Sequence, residues 1–357
     1  MTVTGYDLVI DYDTAAVARG RREQIVPCAI QPRDLELIDA VMRCRFLTTP
    51  HLLELWWPGA APQVGRRRLT KLFEAGYLDR FRPVARRGSF PWTYQLGREG
   101  HRLLQRAGRV PWTERFDARE VYDYRYVLHD VHLYSWVLAW RRLLGAQLVR
   151  WDGETQIGTR EELRRLQRAH QAEVAVDGLR DPSPKPLRPD ALVEAARRGG
   201  EGTHTFLVEY DRTRRVDKNF EKFRRYDTFA CWWWRYTEYG EADRAPWVVF
   251  VCQDEDQRDR FLVQADEEVT GRLWEVGEGS GEREFAGRHR MLFVSEGDVY
   301  EGRAVAHRLP ALPPGHPNRE GSALDARVVR LPSAGAAGER DGERDEERDE
   351  EMRGRAA

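Results

Sequence analysis

Lysine is scarce in this chain. Lys71, Lys185, Lys218 and Lys222 are the only four among 58 basic residues, so arginine supplies the other 54. A GC-rich coding sequence accounts for the bias, yet it draws attention to each lysine where chemistry needs a compact, tunable ammonium. Cysteine is scarce too. Cys28, Cys44, Cys231 and Cys252 are scattered with no CxxC spacing, which excludes a zinc knuckle and a disulfide framework. No apolar run approaches the roughly 18 residues of a membrane span. The start, MTVTGYDLVIDYDTA, is acidic and lacks the basic-then-apolar order of a signal peptide. A cytoplasmic protein without a membrane partner is expected. An excess of one charge is also missing: 58 Lys+Arg against 59 Asp+Glu leave −1. That excludes a uniformly basic coat for nucleic acid, but not a basic face balanced by acid elsewhere.

What is present suffices for real cores. The 357 residues suggest two or three domains. They are 41% apolar and 11% aromatic, with 12 Trp. Residues 1–30 carry no strong period and are expected to be a loosely ordered lead-in. Residues 31–110 read as one domain and 118–309 as a second. From 310 to 357 a Pro/Gly-rich linker leads into a charged tail. Between Glu339 and Arg355 that tail has nine acids, five Arg and no aromatic residue. It cannot offset its ordering entropy by burial, so disorder is expected, with a short ion-paired helix as the alternative. With a net charge of −4, the tail is a candidate to screen a basic surface.

The first domain predicts three helices and a hairpin. Pro32 precedes a helix facing its core with Leu35, Ile38, Val41 and Met42. Thr49 is read as the N-cap of a second helix, with Pro50 at its first position. PQVGRRRLTKLFEAG reads as a third, with Val64, Leu69, Leu72 and Phe73 apolar and Gly76 ending it. YLDRFRPV and FPWTYQL then read as strands joined by ARRGS, before a last helix. Three helices followed by a hairpin is the order of a winged helix, whose third helix enters the major groove. From Arg66 to Arg109 there are 12 Lys+Arg against three acids, a net of +9. Arg66, Arg67, Arg68 and Lys71 on the third helix, with Arg86 and Arg87 at the wing tip, are the expected contacts to double-stranded DNA. A protein-interaction module is the alternative. A homodimer is a candidate assembly, although no interface pattern stands out.

The second domain predicts a long amphipathic helix over about 120–144, then strand AQLVRWD and charged helix REELRRLQRAHQ. Strands LRPDALVEA and THTFLVEYD follow, then a helix over 216–237, strand APWVVFVCQ and helix DEDQRDRFLVQADEE. Asp190 starts one strand; Glu209 and Asp211, two apart on the next, share a face. Three such carboxylates make a hard oxygen site suited to Mg²⁺ or Mn²⁺, able to promote phosphodiester cleavage. The alternative is that Asp190 merely starts a strand and Asp211 caps a turn. Arg212, Arg214 and Arg215 would rim the site for phosphate or solvate a helix entrance. His129 and His132 would face the site or serve the helix surface. Of Trp232, Trp233 and Trp234, at least one is expected in the core, with an aromatic platform for a base as the alternative.

PD at 189–190, 18 intervening residues and EYD at 209–211 in this order resemble the PD-(D/E)XK nuclease superfamily. The resemblance implies a restriction-endonuclease-like α/β domain behind the winged helix, hence an α+β chain. In that superfamily the Asp and the Glu hold metal, and a Lys two residues after the Glu positions or activates the water. Here Asp211 stands at that position. The nearest amines are Lys218 and Lys222 on the next helix, and the superfamily lets its lysine migrate. They are candidates for the catalytic amine, or for an ordinary solvated helix face. RRRLTKLFEAGYLDR, LHDVHLYSW, RPDALVEA and FLVEYDRTRR…KFRRYD, taken together over about 33–252, are similar to the replication-relaxation family of bacterial plasmid and mobile-element proteins. That implies a role in plasmid DNA replication, relaxation or mobilisation. The resemblance leaves open a metal-dependent nuclease and a non-catalytic regulator with a degenerate nuclease-like domain.

Overall fold

The computed structural model describes residues 17–83, 90–117, 124–154, 157, 185–197, 202–211, 220–242, 244–271, 285–319 and 326–333. The chain divides into two units, Met1–Leu138 and Ala139–Ala357. Both helices and strands are well represented, so the fold is mixed α+β. Among the described residues, no helix is long and apolar enough to cross a membrane.

The first unit runs β1 (Val17–Arg19), α1 (Pro32–Cys44), β2 (Leu47–Thr48), α2 (Thr49–Trp56), α3 (Pro62–Glu74), β3 (Leu78–Pro83), β4 (Thr93–Leu96) and α4 (Arg98–Arg106). Its sheet has the order β1-β3-β4-β2, antiparallel throughout. α1, α2 and α3 each carry a proline in the first two positions, where it forgoes an amide that has no helical partner anyway. Leu37, Ile38, Val41, Leu52, Leu69, Leu72, Phe73 and Leu104 form the inner faces.

Three expectations change here. The lead-in is anchored from Val17 onward: β1 pairs with β3, and Arg22 bonds the Leu78 carbonyl at 2.8 Å and the Asp79 carboxylate. Thr48, not Thr49, caps α2, its hydroxyl accepting from the His51 amide. Val64, expected in the core, is 53% exposed. The wing-tip residues Arg86 and Arg87 lie outside the described residues.

Gly65 explains how α2 and α3 sit so close. A Cβ there would lie 2.2 Å from the Leu53 side chain and 2.9 Å from the Trp57 ring. A glycine inside a helix costs roughly 1 kcal/mol against alanine, so the close approach is what retains it. Gly65→Val is expected to destabilise the first unit by about 1–3 kcal/mol through overpacking. Urea unfolding followed through the tryptophans measures this, and an unchanged midpoint would contradict the tight α2–α3 contact.

Helix α5 (Tyr124–Leu144) spans the division between the units. The expected amphipathic pattern is absent: every residue from Val131 to Trp140 is buried. A helix surrounded by protein has no solvent face to mark with a polar stripe.

The second unit has strands β5 (Leu148–Asp152), β6 (Ala191–Ala196), β7 (Thr203–Asp211), β8 (Trp247–Cys252), β9 (Met291–Ser295), β10 (Val305–Arg308) and β11 (Arg327–Arg330). They form one sheet in the order β11-β10-β9-β8-β7-β6-β5. β5, β6 and β7 are antiparallel, β7, β8 and β9 parallel, and β9, β10 and β11 antiparallel again. Between β7 and β8 lies α6 (Phe220–Thr228), and after β8 comes α7 (Glu255–Glu268). Phe223 of α6 packs edge-on against Phe250 at 5.0 Å and Phe261 at 5.7 Å, while Phe250 stacks on Phe293 at 5.3 Å. On the opposite sheet face Trp140 meets Phe206 at 5.1 Å.

The helix expected over 216–237 is shorter. After Thr228 it widens into a π turn, Phe229–Trp233, and tightens into a 3₁₀ turn, Trp234–Tyr236. The ordered chain also passes Pro310: Arg319 grips Asp266 at 2.8 Å, and β11 adds an edge to the sheet. The charged helix expected before β6 and the acidic tail fall outside the described residues.

Candidate functional site

The ladder between β6 and β7 places the carboxylates. Ala191 pairs with Val208, and one step further the Asp190 amide donates to the Val208 carbonyl at 2.9 Å. Asp190 therefore stands across from Glu209. Its Oδ2 accepts from the Tyr210 amide at 2.9 Å, which fixes the carboxylate at the end of the strand pair.

Glu209 is 3% exposed. Lys222 Nζ reaches its Oε2 at 2.5 Å, and the Tyr226 hydroxyl donates to its Oε1 at 2.6 Å. Lys222 and Tyr226 are four apart on α6 and so share a helix face. Burial raises the Glu209 pKa to about 7; the Lys222 ammonium opposes that shift and the neighbouring Asp190 charge adds to it. Burial works against the Lys222 charge, but Glu209, Asp190 and Asp211 outweigh it and hold its pKa above the ordinary lysine range. Burial and Glu209 likewise push the Tyr226 phenol up. Lys222 itself remains 40% exposed along its side chain.

Asp211 is the half-buried last residue of β7. Among the described residues no three His, Cys, Asp or Glu side chains gather closely enough to hold a metal. The expected three-carboxylate centre is replaced by the pair Asp190 and Glu209, with an ammonium on the latter. Asp211, two residues along the same face, ends β7, and its charge acts on Lys222. A pair still suits Mg²⁺, which commonly takes one or two carboxylates and completes its shell with water and substrate phosphate.

Lys218, Arg212, Arg214 and Arg215 lie outside the described residues. Sequence reasoning missed Tyr226, although its four-residue spacing from Lys222 was the available signal. It also missed Lys185, which bonds Glu221 at 2.9 Å, one residue before Lys222. Trp233 and Trp234 are buried in the core, while the Trp232 side chain is outside the described set. His129 contacts Asp130 at 3.3 Å, a carboxylate also held by Arg45 at 2.8 Å. His132 is buried, and with burial it helps depress the pKa of His51 to about 3.

The first unit presents α3. Gly65, Leu69, Leu72 and Phe73 are its buried stripe, whereas Gln63, Val64, Arg66, Arg67 and Lys71 are exposed. Arg68 differs from its neighbours. Its guanidinium bonds the fully buried Asp34 at 2.9 Å and the Ala29 carbonyl at 2.6 Å. It ties α3 to α1 and to the lead-in.

A family model described as replication-relaxation matches residues 38–244, more than half of the chain. The chain belongs to the replication-relaxation family. The matched span begins within α1 and ends before β8, so it takes in α3, Asp190, Glu209, Asp211, Lys222 and Tyr226. β8 to β11 lie beyond it. No match was found to a curated protein or to a solved structure. The replication-relaxation assignment supports a replication-related role.

Proposed function

We propose that this protein binds duplex DNA through a winged helix and acts in replication, relaxation or mobilisation of plasmid or mobile-element DNA, cleaving a phosphodiester in its second unit. The observation that carries the cleavage reading is the Lys222 ammonium on Glu209, across the ladder from Asp190. Three antiparallel strands, a helix and a parallel strand support the nuclease-like fold, with the lysine supplied by that helix.

Asp190 and Glu209 are the residues that would hold Mg²⁺ or Mn²⁺, which supplies Lewis acidity and lowers the pKa of an attacking water. The Tyr210 amide and Tyr226 hydroxyl orient the two carboxylates. Lys222 holds Glu209 in place and offers a positive charge to a phosphate oxygen. Asp211 sustains the Lys222 charge, and Lys218 is a second candidate amine.

A degenerate, non-catalytic domain in a DNA-binding regulator is the second reading. It is favoured by the burial of Glu209 and the engagement of both its oxygens. Nicking of supercoiled plasmid with Mg²⁺ or Mn²⁺ that disappears in Asp190→Ala supports the enzyme. Retained DNA binding without cleavage under either metal supports the regulator.

Docking has its own test. Arg67→Ala combined with Lys71→Ala is expected to weaken duplex binding and reduce the salt slope by roughly two, about one per lost phosphate contact. An unchanged slope would favour a protein-interaction role for the first unit.

A further inference from the structure

The outward face of α3 contains one residue that the amphipathic pattern does not explain. At roughly 100° per residue, Arg67 lies opposite the stripe of Gly65, Leu69, Leu72 and Phe73. Gln63, Val64, Thr70 and Lys71 flank Arg67, and Arg66 lies at the edge. Val64 is 53% exposed there, on the first turn after Pro62 and one turn before Arg67 and Arg68. A β-branched residue on a solvated helix face forfeits helix propensity without gaining burial. The face is held in a defined orientation, because Gly65 seats α3 against Leu53 and Trp57 and Arg68 ties it to Asp34.

We infer that Val64 is a specificity-determining residue that reads the C5-methyl group of a thymine in the major groove. This deepens the docking reading and rests on it. A thymine presents a methyl and an O4 acceptor on its major-groove edge, and apolar side chains read the methyl. Gln63 beside it has the bidentate amide that suits adenine. Phosphate-binding arginines hold register without reading sequence, whereas Val64 has neither charge nor a hydrogen-bonding side chain to offer a phosphate. Its contribution on this face is apolar contact.

The test uses the full-length chain and duplexes enriched by it from a random-sequence pool. Each thymine of the enriched site is replaced in turn by uracil, which removes only the methyl. At one thymine position wild type is expected to bind the uracil duplex about four-fold more weakly, the worth of one buried methyl. Val64→Ala is expected to bind thymine and uracil duplexes alike, and Val64→Thr, which retains a methyl, to keep part of the discrimination. Matching unfolding midpoints for both variants would show that α3 is intact. The inference is overturned if no thymine is uracil-sensitive, if Val64→Ala keeps the wild-type ratio, or if no site is enriched. Those outcomes leave docking standing wherever the Arg67 and Lys71 pair still sets the salt slope; loss of that dependence overturns docking itself.

Discussion

Lys222→Met is expected to abolish metal-dependent nicking, a loss of at least about 100-fold, on the scale of removing one preorganised donor from a charged transition state. Among the described residues, the same substitution leaves Glu209 buried with only Tyr226 on its carboxylate. Burial, already the largest influence on that group, then acts without the opposing ammonium, and the Glu209 pKa rises further. The stability change should be smaller than the roughly 3–5 kcal/mol of a fully buried broken pair. Lys222 is 40% exposed, and Glu209 can take up a proton instead. Lys222→Arg separates charge from shape, since a planar guanidinium does not reproduce a compact ammonium. It should restore stability more than nicking. Nicking by Lys222→Met at the wild-type rate would remove Lys222 from the reaction and pass the role of amine to Lys218.

Arg68→Met is expected to produce the largest loss of stability among the α3 arginines, about 3 kcal/mol, because it strands the fully buried Asp34 carboxylate. Asp34 would keep the Gln31 amide, which donates to it at 2.7 Å, but among the described residues no other cation bonds it. Arg67→Ala, one residue away and exposed, should leave stability within about 0.5 kcal/mol of wild type. Urea unfolding of the two variants measures the contrast. Equal midpoints would mean that Arg68 is not the tie between α3 and α1. The contrast also governs how DNA-binding data are read: weak binding by an Arg68 variant reports a loosened helix as well as a missing charge.

The second unit was the more legible in the sequence. THTFLVEYD coincides with β7, and APWVVFVCQ brackets β8, because runs of β-branched and aromatic residues bounded by polar turns have few alternatives. The positions of Asp190 and Glu209 at paired strands, and of a lysine on the following helix, were legible in the sequence through spacing and the rarity of lysine. Which amine engages Glu209 was not, since Lys218 and Lys222 are four apart and equivalent to a pattern. Strand length decided the fate of Asp211, which shares the face of Glu209 but ends the strand. Arg68 looked like its neighbours because a run of three arginines says nothing of which one points inward. β1 has three residues and no period to detect. β9 to β11 lie beyond the residues that carried the family resemblance. The polar residues of α5, among them Asp130, His132 and Ser135, are buried with satisfied or paired side chains, so they mimic a solvent face without forming one.

The proposed phosphodiester-cleaving site of Asp190, Glu209 and Lys222 turns most directly on the Glu209 carboxylate. Its raised pKa means that the carboxylate form a metal would need is depleted as pH falls below neutrality and fills as pH rises above it. The decisive measurement is the initial rate of Mg²⁺-dependent nicking of supercoiled plasmid from pH 5.5 to 8.5, for wild type and Glu209→Gln, each shown to bind the plasmid. The account predicts a wild-type rate that rises with pH through neutrality and then levels off, with no nicking by Glu209→Gln at any pH. Nicking by Glu209→Gln at the wild-type rate would contradict it.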